Sequence, residues 1–88
     1  MTNYSRSAIQ NDRPERVIVN VEPECVQVRL ASGEKLTVHD AFEKEPVTLK
    51  VDSENGHTII SVWPGDGEVR VEKDGLDVFD LVQERDRT

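Results

Sequence analysis

Valine and isoleucine recur at every second position through much of this chain. A period of two places those side chains on one face of an extended backbone, the pattern of a half-buried β-strand. The clearest stretch is residues 57–82, HTIISVWPGDGEVRVEKDGLDVFDLV. Pro64-Gly65-Asp66-Gly67 and Lys73-Asp74-Gly75 divide it into three β-rich runs. Asp-Gly between alternating runs is a strong hairpin signal, because a type I′ turn needs positive φ at its central residues. The stretch is expected to form a double hairpin that shorter strands cover.

Residues 1–15 are polar, lack periodicity and end at Arg13-Pro14. They are expected to be a flexible tail. In residues 16–22, Val17, Val19 and Val21 alternate with Ile18, Asn20 and Glu22, and Pro23 then ends the run because it cannot donate to a ladder. Residues 25–39 are expected to form a second hairpin turning at Ala31-Ser32-Gly33-Glu34, with Val26, Val28, Leu30, Leu36 and Val38 inward. DAFEKEP, residues 40–46, is too short for a stable helix and reads as a single turn or a crossover. A further strand follows at 46–51 with Val47, Leu49 and Val51 inward, then a five-residue loop, DSENG.

The last run changes phase. Leu76 and Val78 share one face, whereas Phe79 and Leu81 fall on the other, so a bulge, a helical turn or two covered faces is expected near Phe79. Residues 83–88 are expected to be a flexible end. The expectation for residues 16–82 is a single small all-β domain. It has six or seven short, mostly antiparallel strands forming a sandwich or small barrel.

Charge narrows the function classes. The 88 residues carry a formal net charge of −7, and the first fifteen are neutral. The remainder holds nine basic against sixteen acidic side chains. Phosphate backbones and anionic membranes both call for a basic face, so neither nucleic acid nor a membrane is the expected partner. A basic protein is. The single cysteine, Cys25, allows no intramolecular disulfide. Without an apolar leader or a membrane-length apolar run, the expected location is the cytoplasm, or a host cell's cytoplasm if the chain is viral.

Signals for chemistry are sparse. Cys25 lies beside Glu24, which disfavours the thiolate; it is expected to be a half-buried structural residue. His39 and His57 could pair with it only through tertiary contact. His39-Asp40 and Glu54 with His57 lack the three or four converging ligands of a metal site. Asp52-Ser53-Glu54-Asn55-Gly56 places oxygen ligands at alternate positions, but the twelfth position of such a calcium loop is Trp63, not an acid. Pro64-Gly65-Asp66-Gly67 has neither the lysine nor the following helix of a phosphate loop. No catalytic residue, cofactor or metal is expected.

What remains is a second apolar face, Ile18, Ile59, Trp63, Phe79 and Leu81, with Phe42 joining from its loop. Tryptophan and phenylalanine are favoured interface anchors. The expected function is a non-enzymatic acidic protein-binding module, an adaptor or an inhibitor. Its expected site is an apolar patch of Trp63, Phe79, Ile59 and Phe42 within an acidic rim of Asp40, Glu43 and Glu45. The alternative is a structural subunit of a homo-oligomeric or viral assembly, with a homodimer its simplest form.

Overall fold

The computed structural model describes residues 1–79. It contains eight strands, β1 (Asn3–Gln10), β2 (Val17–Val21), β3 (Val26–Leu30), β4 (Lys35–Phe42), β5 (Thr48–Glu54), β6 (His57–Trp63), β7 (Glu68–Lys73) and β8 (Leu76–Asp77). They form two four-stranded sheets, one in the order β1-β4-β7-β8, the other β3-β2-β6-β5. The class is all-β, and the two sheets stack as a sandwich. Every pairing is antiparallel except β2 with β6, which is parallel. No helix among the described residues is long and apolar enough to cross a membrane.

The count rises to eight because of β1. Residues 3–10, expected within a flexible tail, pair along their whole length with β4, from Asn3 opposite Phe42 to Gln10 opposite Lys35. Alternation gave no signal because only Ile9 of this edge strand is buried. Its remaining side chains meet solvent, so nothing selects for an apolar period.

Connections also depart from the expectation. Pro64–Gly67 does not close a hairpin: β6 and β7 lie in different sheets, and this segment carries the chain across. The crossing runs tight against the β4–β5 connection. A Cβ on Gly65 would overlap the carbonyl of Glu45, and one on Gly67 the carbonyl of Ala41. Residues 31–34 likewise cross between sheets rather than closing a β3–β4 hairpin. Alternation reports which face is buried, and two crossing strands bury theirs just as a hairpin does.

The hairpins proper are β2–β3, β5–β6 and β7–β8. Two of them turn on Asn55-Gly56 and Asp74-Gly75, with φ of 53° and 80°, and 56° and 80°, the positive pair a type I′ turn requires. The loop at DSENG is therefore two residues long, and Asp52 to Glu54 extend β5. Asp40 to Phe42 likewise extend β4, and the crossover begins after them.

The core follows the alternation. Val17, Val19, Val21, Leu30 and Val62 of one sheet face Ile9, Leu36, Val38 and Val71 of the other, with Val78 beyond β8. Each fully buried aliphatic contributes roughly 1.5–3 kcal/mol before chain entropy is subtracted. Leu49 and Val51, expected inward, are 40% and 67% exposed. They lie on the right face, but β5 is an edge strand, and β8, at the edge of the other sheet, is only two residues long. After it the chain turns: Asp77 Oδ1 accepts the amide of Phe79 at 2.9 Å, and Val78 and Phe79 are helical. This is the phase change expected near Phe79. Leu81 and the 83–88 end lie outside the described residues.

Candidate functional site

The strand directions gather specific loops at each end of the sandwich. Val21 pairs with Val62, Thr48 with Trp63, Asn3 with Phe42 and Ala41 with Glu68. The ends of β2, β4 and β6 and the starts of β1, β3, β5 and β7 therefore meet at one end. Trp63 stands there, 45% exposed, the last residue of β6. Around it lie the β2–β3 turn with Glu22 and Glu24, and the β4–β5 crossover with Glu43 and Glu45.

Asp66 builds this end. Its Oδ1 accepts the amide of Glu43 at 3.0 Å, and its Oδ2 accepts those of Lys44 and Glu45 at 2.8 and 3.0 Å. Its own amide donates to the Glu45 carbonyl at 3.0 Å. Three donors converging on one carboxylate favour its charged form. The Lys44 amide foremost, then those of Glu43 and Glu45, hold the Asp66 carboxyl below the usual aspartate range. With its loop amides satisfied inward, the crossover turns the side chains of Glu43 and Glu45 outward, where both residues are exposed.

Glu43 is further pinned by the two residues that precede β1. Thr2 Oγ1 donates to Glu43 Oε1 at 2.8 Å, and the Met1 ammonium lies 3.3 Å from Oε2.

The expected site residues divide. Trp63, Glu43 and Glu45 come together at this end. Phe42 is half-buried at the end of β4. Ile59 shares the outer face of β6 with Trp63 and pairs with Ile18 of β2. However, Asn20, Ser61 and Lys50 occupy the row between, so the apolar surface is two spots and not one patch.

Phe79 packs half-buried against the core. Asp40, expected on the rim, is 3% exposed, the inward residue of its β4 row. Its Oδ2 accepts the Val47 amide at 2.7 Å, holding the crossover from inside, while Oδ1 is buried without a partner. An aspartate in the acid-rich string DAFEKEP gives no sequence signal of burial, whereas its even spacing from Leu36 and Val38 does.

A second feature is a shallow trough of about 490 Å³ across β1, β4 and β7 on the outer face of their sheet. Arg6, His39 and Arg70 stand in one row of the register, and Tyr4, Ala41 and Glu68 in another. Glu72 lies 2.9 Å from His39 Nε2 and pairs with Arg70.

The structure does not bring Cys25 together with either histidine. Cys25, expected half-buried, is exposed in the β2–β3 turn with φ of 61°. Its Sγ faces Glu22 Oε1 at 3.4 Å, and that hydrogen bond, then the carboxylate's charge, push the thiol above its ordinary range. His57 lies at the opposite end of β6, and His39 in the other sheet. Among the described residues, no three His, Cys, Asp or Glu side chains converge as metal ligands would.

Comparison with protein-family models, characterised proteins and solved structures finds no match to this chain.

Proposed function

We propose that this chain is a non-catalytic protein-binding module, of adaptor or inhibitor type, that engages a basic protein at its acidic end. The observation that carries this is Trp63, 45% exposed at the end of the sandwich where the β2–β3 turn and the β4–β5 crossover carry Glu22, Glu24, Glu43 and Glu45. A large aromatic is costly to leave in water, and a tryptophan is among the most frequent anchors of binding energy. The surrounding Glu22, Glu24, Glu43 and Glu45 would steer a basic partner and set its orientation, while the indole supplies desolvated contact area. Rigid loops reduce the ordering cost of binding. A reducing compartment such as the cytoplasm suits a chain whose one thiol, on Cys25, is exposed.

The test is selection from a random peptide display library against the native protein. Recovered sequences are expected to combine Lys or Arg with apolar residues, and their binding to weaken with salt and vanish in Trp63→Ser. A selection without consensus, or a consensus whose binding survives both Trp63→Ser and the double change Glu43→Gln/Glu45→Gln, would overturn the proposal.

A further inference from the structure

We propose that β5 is a self-complementary edge through which a second copy of this chain adds to the sheet, making one eight-stranded sheet across a two-fold axis. This uses a surface separate from the Trp63 end and does not depend on the function proposed for it.

The strand is the outermost of its sheet, and all seven of its residues are exposed. Its outward backbone groups have no strand to pair with among the described residues, which is the template for adding another strand. Three of the four edge strands are longer than two residues, β1, β3 and β5. In β1 the only charge is Arg6, and in β3 it is Arg29; only β5, TLKVDSE, carries both signs.

Register decides whether those signs attract. Directly opposed residues in an antiparallel pair point to the same face, so a two-fold axis must pass through a residue. Centred on Lys50, the pair sets lysine against lysine; centred on Asp52, it sets aspartate against aspartate at the axis, although Lys50 then meets Glu54 of the partner subunit. Centred on Val51, it sets Lys50 against Asp52 of the partner subunit, and does so twice. The same register places Val51, 67% exposed, against Val51 of the partner subunit on the inner face. Leu49 meets Ser53 of the partner subunit. Within one chain Lys50 Nζ and Asp52 Oδ2 are 3.9 Å apart and well exposed, a loose pair that can be exchanged for the direct cross-strand one. A lysine in the middle of an edge ordinarily deters pairing. Here the deterrent is cancelled without a like-charge pair only in the Val51-centred register, and each copy offers this edge once, which favours a closed dimer over open-ended growth.

The joined sheet would also alter the acidic end. Thr48, beside Trp63, comes opposite Glu54 of the partner subunit, adding a carboxylate to each tryptophan's surroundings. Both indoles would lie on one face of the eight-stranded sheet, about 25 Å apart from the strand spacing and rise.

Sedimentation velocity of the full chain over a dilution series, with two opposite charge reversals, tests this. The native chain is expected to dimerise reversibly. Lys50→Asp alone opposes aspartate to aspartate, and Asp52→Lys alone opposes lysine to lysine. Each should weaken the dimer at least about 10-fold. An equimolar mixture of the two variants should restore a dimer with one copy of each, since every pair is then of opposite sign. Trp63→Ala should leave the dimer intact, and peptide binding at Trp63 should persist in the monomeric variants, so the two proposals fail separately. A native chain that stays monomeric up to millimolar concentration would overturn the inference. So would single variants that dimerise as the native chain does, or a mixture that fails to associate.

Discussion

Asn11 Nδ2 donates to the carbonyl of Leu30, nineteen positions away, at 2.9 Å, and so ties the crossing after β1 to the crossing after β3. The same nitrogen donates to the Glu15 carbonyl at 2.8 Å, and Oδ1 accepts the Arg13 amide at 2.9 Å. The backbone of Asn11 adds two bonds, its amide to the Glu34 carbonyl and its carbonyl from the Gly33 amide. The residue is 1% exposed. A buried amide with both donors and its acceptor engaged specifies one arrangement of these two crossings.

Removing that side chain strands two carbonyls and an amide. Asn11→Ala is expected to lower the unfolding free energy by about 3 kcal/mol, read by equilibrium denaturation. Asn11→Asp should lower it further at neutral pH, because a carboxylate cannot donate to either carbonyl. A loss below about 0.5 kcal/mol for both variants, the range of an ordinary surface change, would contradict this role.

Acid should loosen the β4–β5 crossover through Asp66. Its folded-state pKa lies below the ordinary aspartate value, held there first by the Lys44 amide. The stabilisation is therefore complete above the unfolded pKa near 3.9 and is lost as pH falls through the folded value. Glu34, also held low, chiefly by its contact with Lys73, contributes in the same window. Asp66→Asn is expected to be less stable at neutral pH and to show a flatter decline between about pH 5 and pH 2. Identical slopes for native and variant would show that the three amides do not bias the carboxyl.

Anchoring residues and core residues should separate cleanly. Trp63→Ala is expected to cost less than about 1 kcal/mol of stability, because the indole is half exposed. Leu36→Ala, at a fully buried position, should cost about 2–5 kcal/mol. Comparable losses at both sites would mean that the tryptophan is a core residue.

The dimer proposed through β5 makes a covalent prediction as well. Val51 lies on the two-fold axis, where opposed Cα atoms in an antiparallel pair are about 4.5–5.5 Å apart, within disulfide reach. Val51→Cys in a Cys25→Ser background should therefore oxidise to a cross-linked dimer far faster than Thr48→Cys in the same background. Non-reducing electrophoresis reads the outcome, and equal rates at the two positions would contradict the Val51-centred register.

The sequence carried the faces of this fold better than its connections. Val17, Val19, Val21, Leu36, Val38 and Val62 fall on the inner face by the period of two and are all buried. The turns at Asn55-Gly56 and Asp74-Gly75 announce themselves because positive φ restricts which residues can stand there. The crossings at 31–34 and 64–67 do not, since turn-forming residues serve hairpins and sheet-to-sheet connections alike. Strand β1 was hidden by its exposure, and Asn11 by its polarity. At the acidic end, Glu43 and Glu45 were legible as a cluster. Glu22 and Glu24 join them only because β2 ends beside β6 in parallel, a long-range pairing with no local signature. The division of Trp63 from Phe79 also needed the turn after β8.

The proposed binding end is tested most directly by the emission of Trp63, the chain's one tryptophan, as the native protein is saturated with a library-selected basic peptide. The expected result is a blue shift that saturates with binding, with an affinity that falls as salt rises, because the indole leaves water while the surrounding carboxylates are screened. An emission spectrum unchanged at saturation would place the peptide elsewhere on the molecule and contradict the role assigned to Trp63.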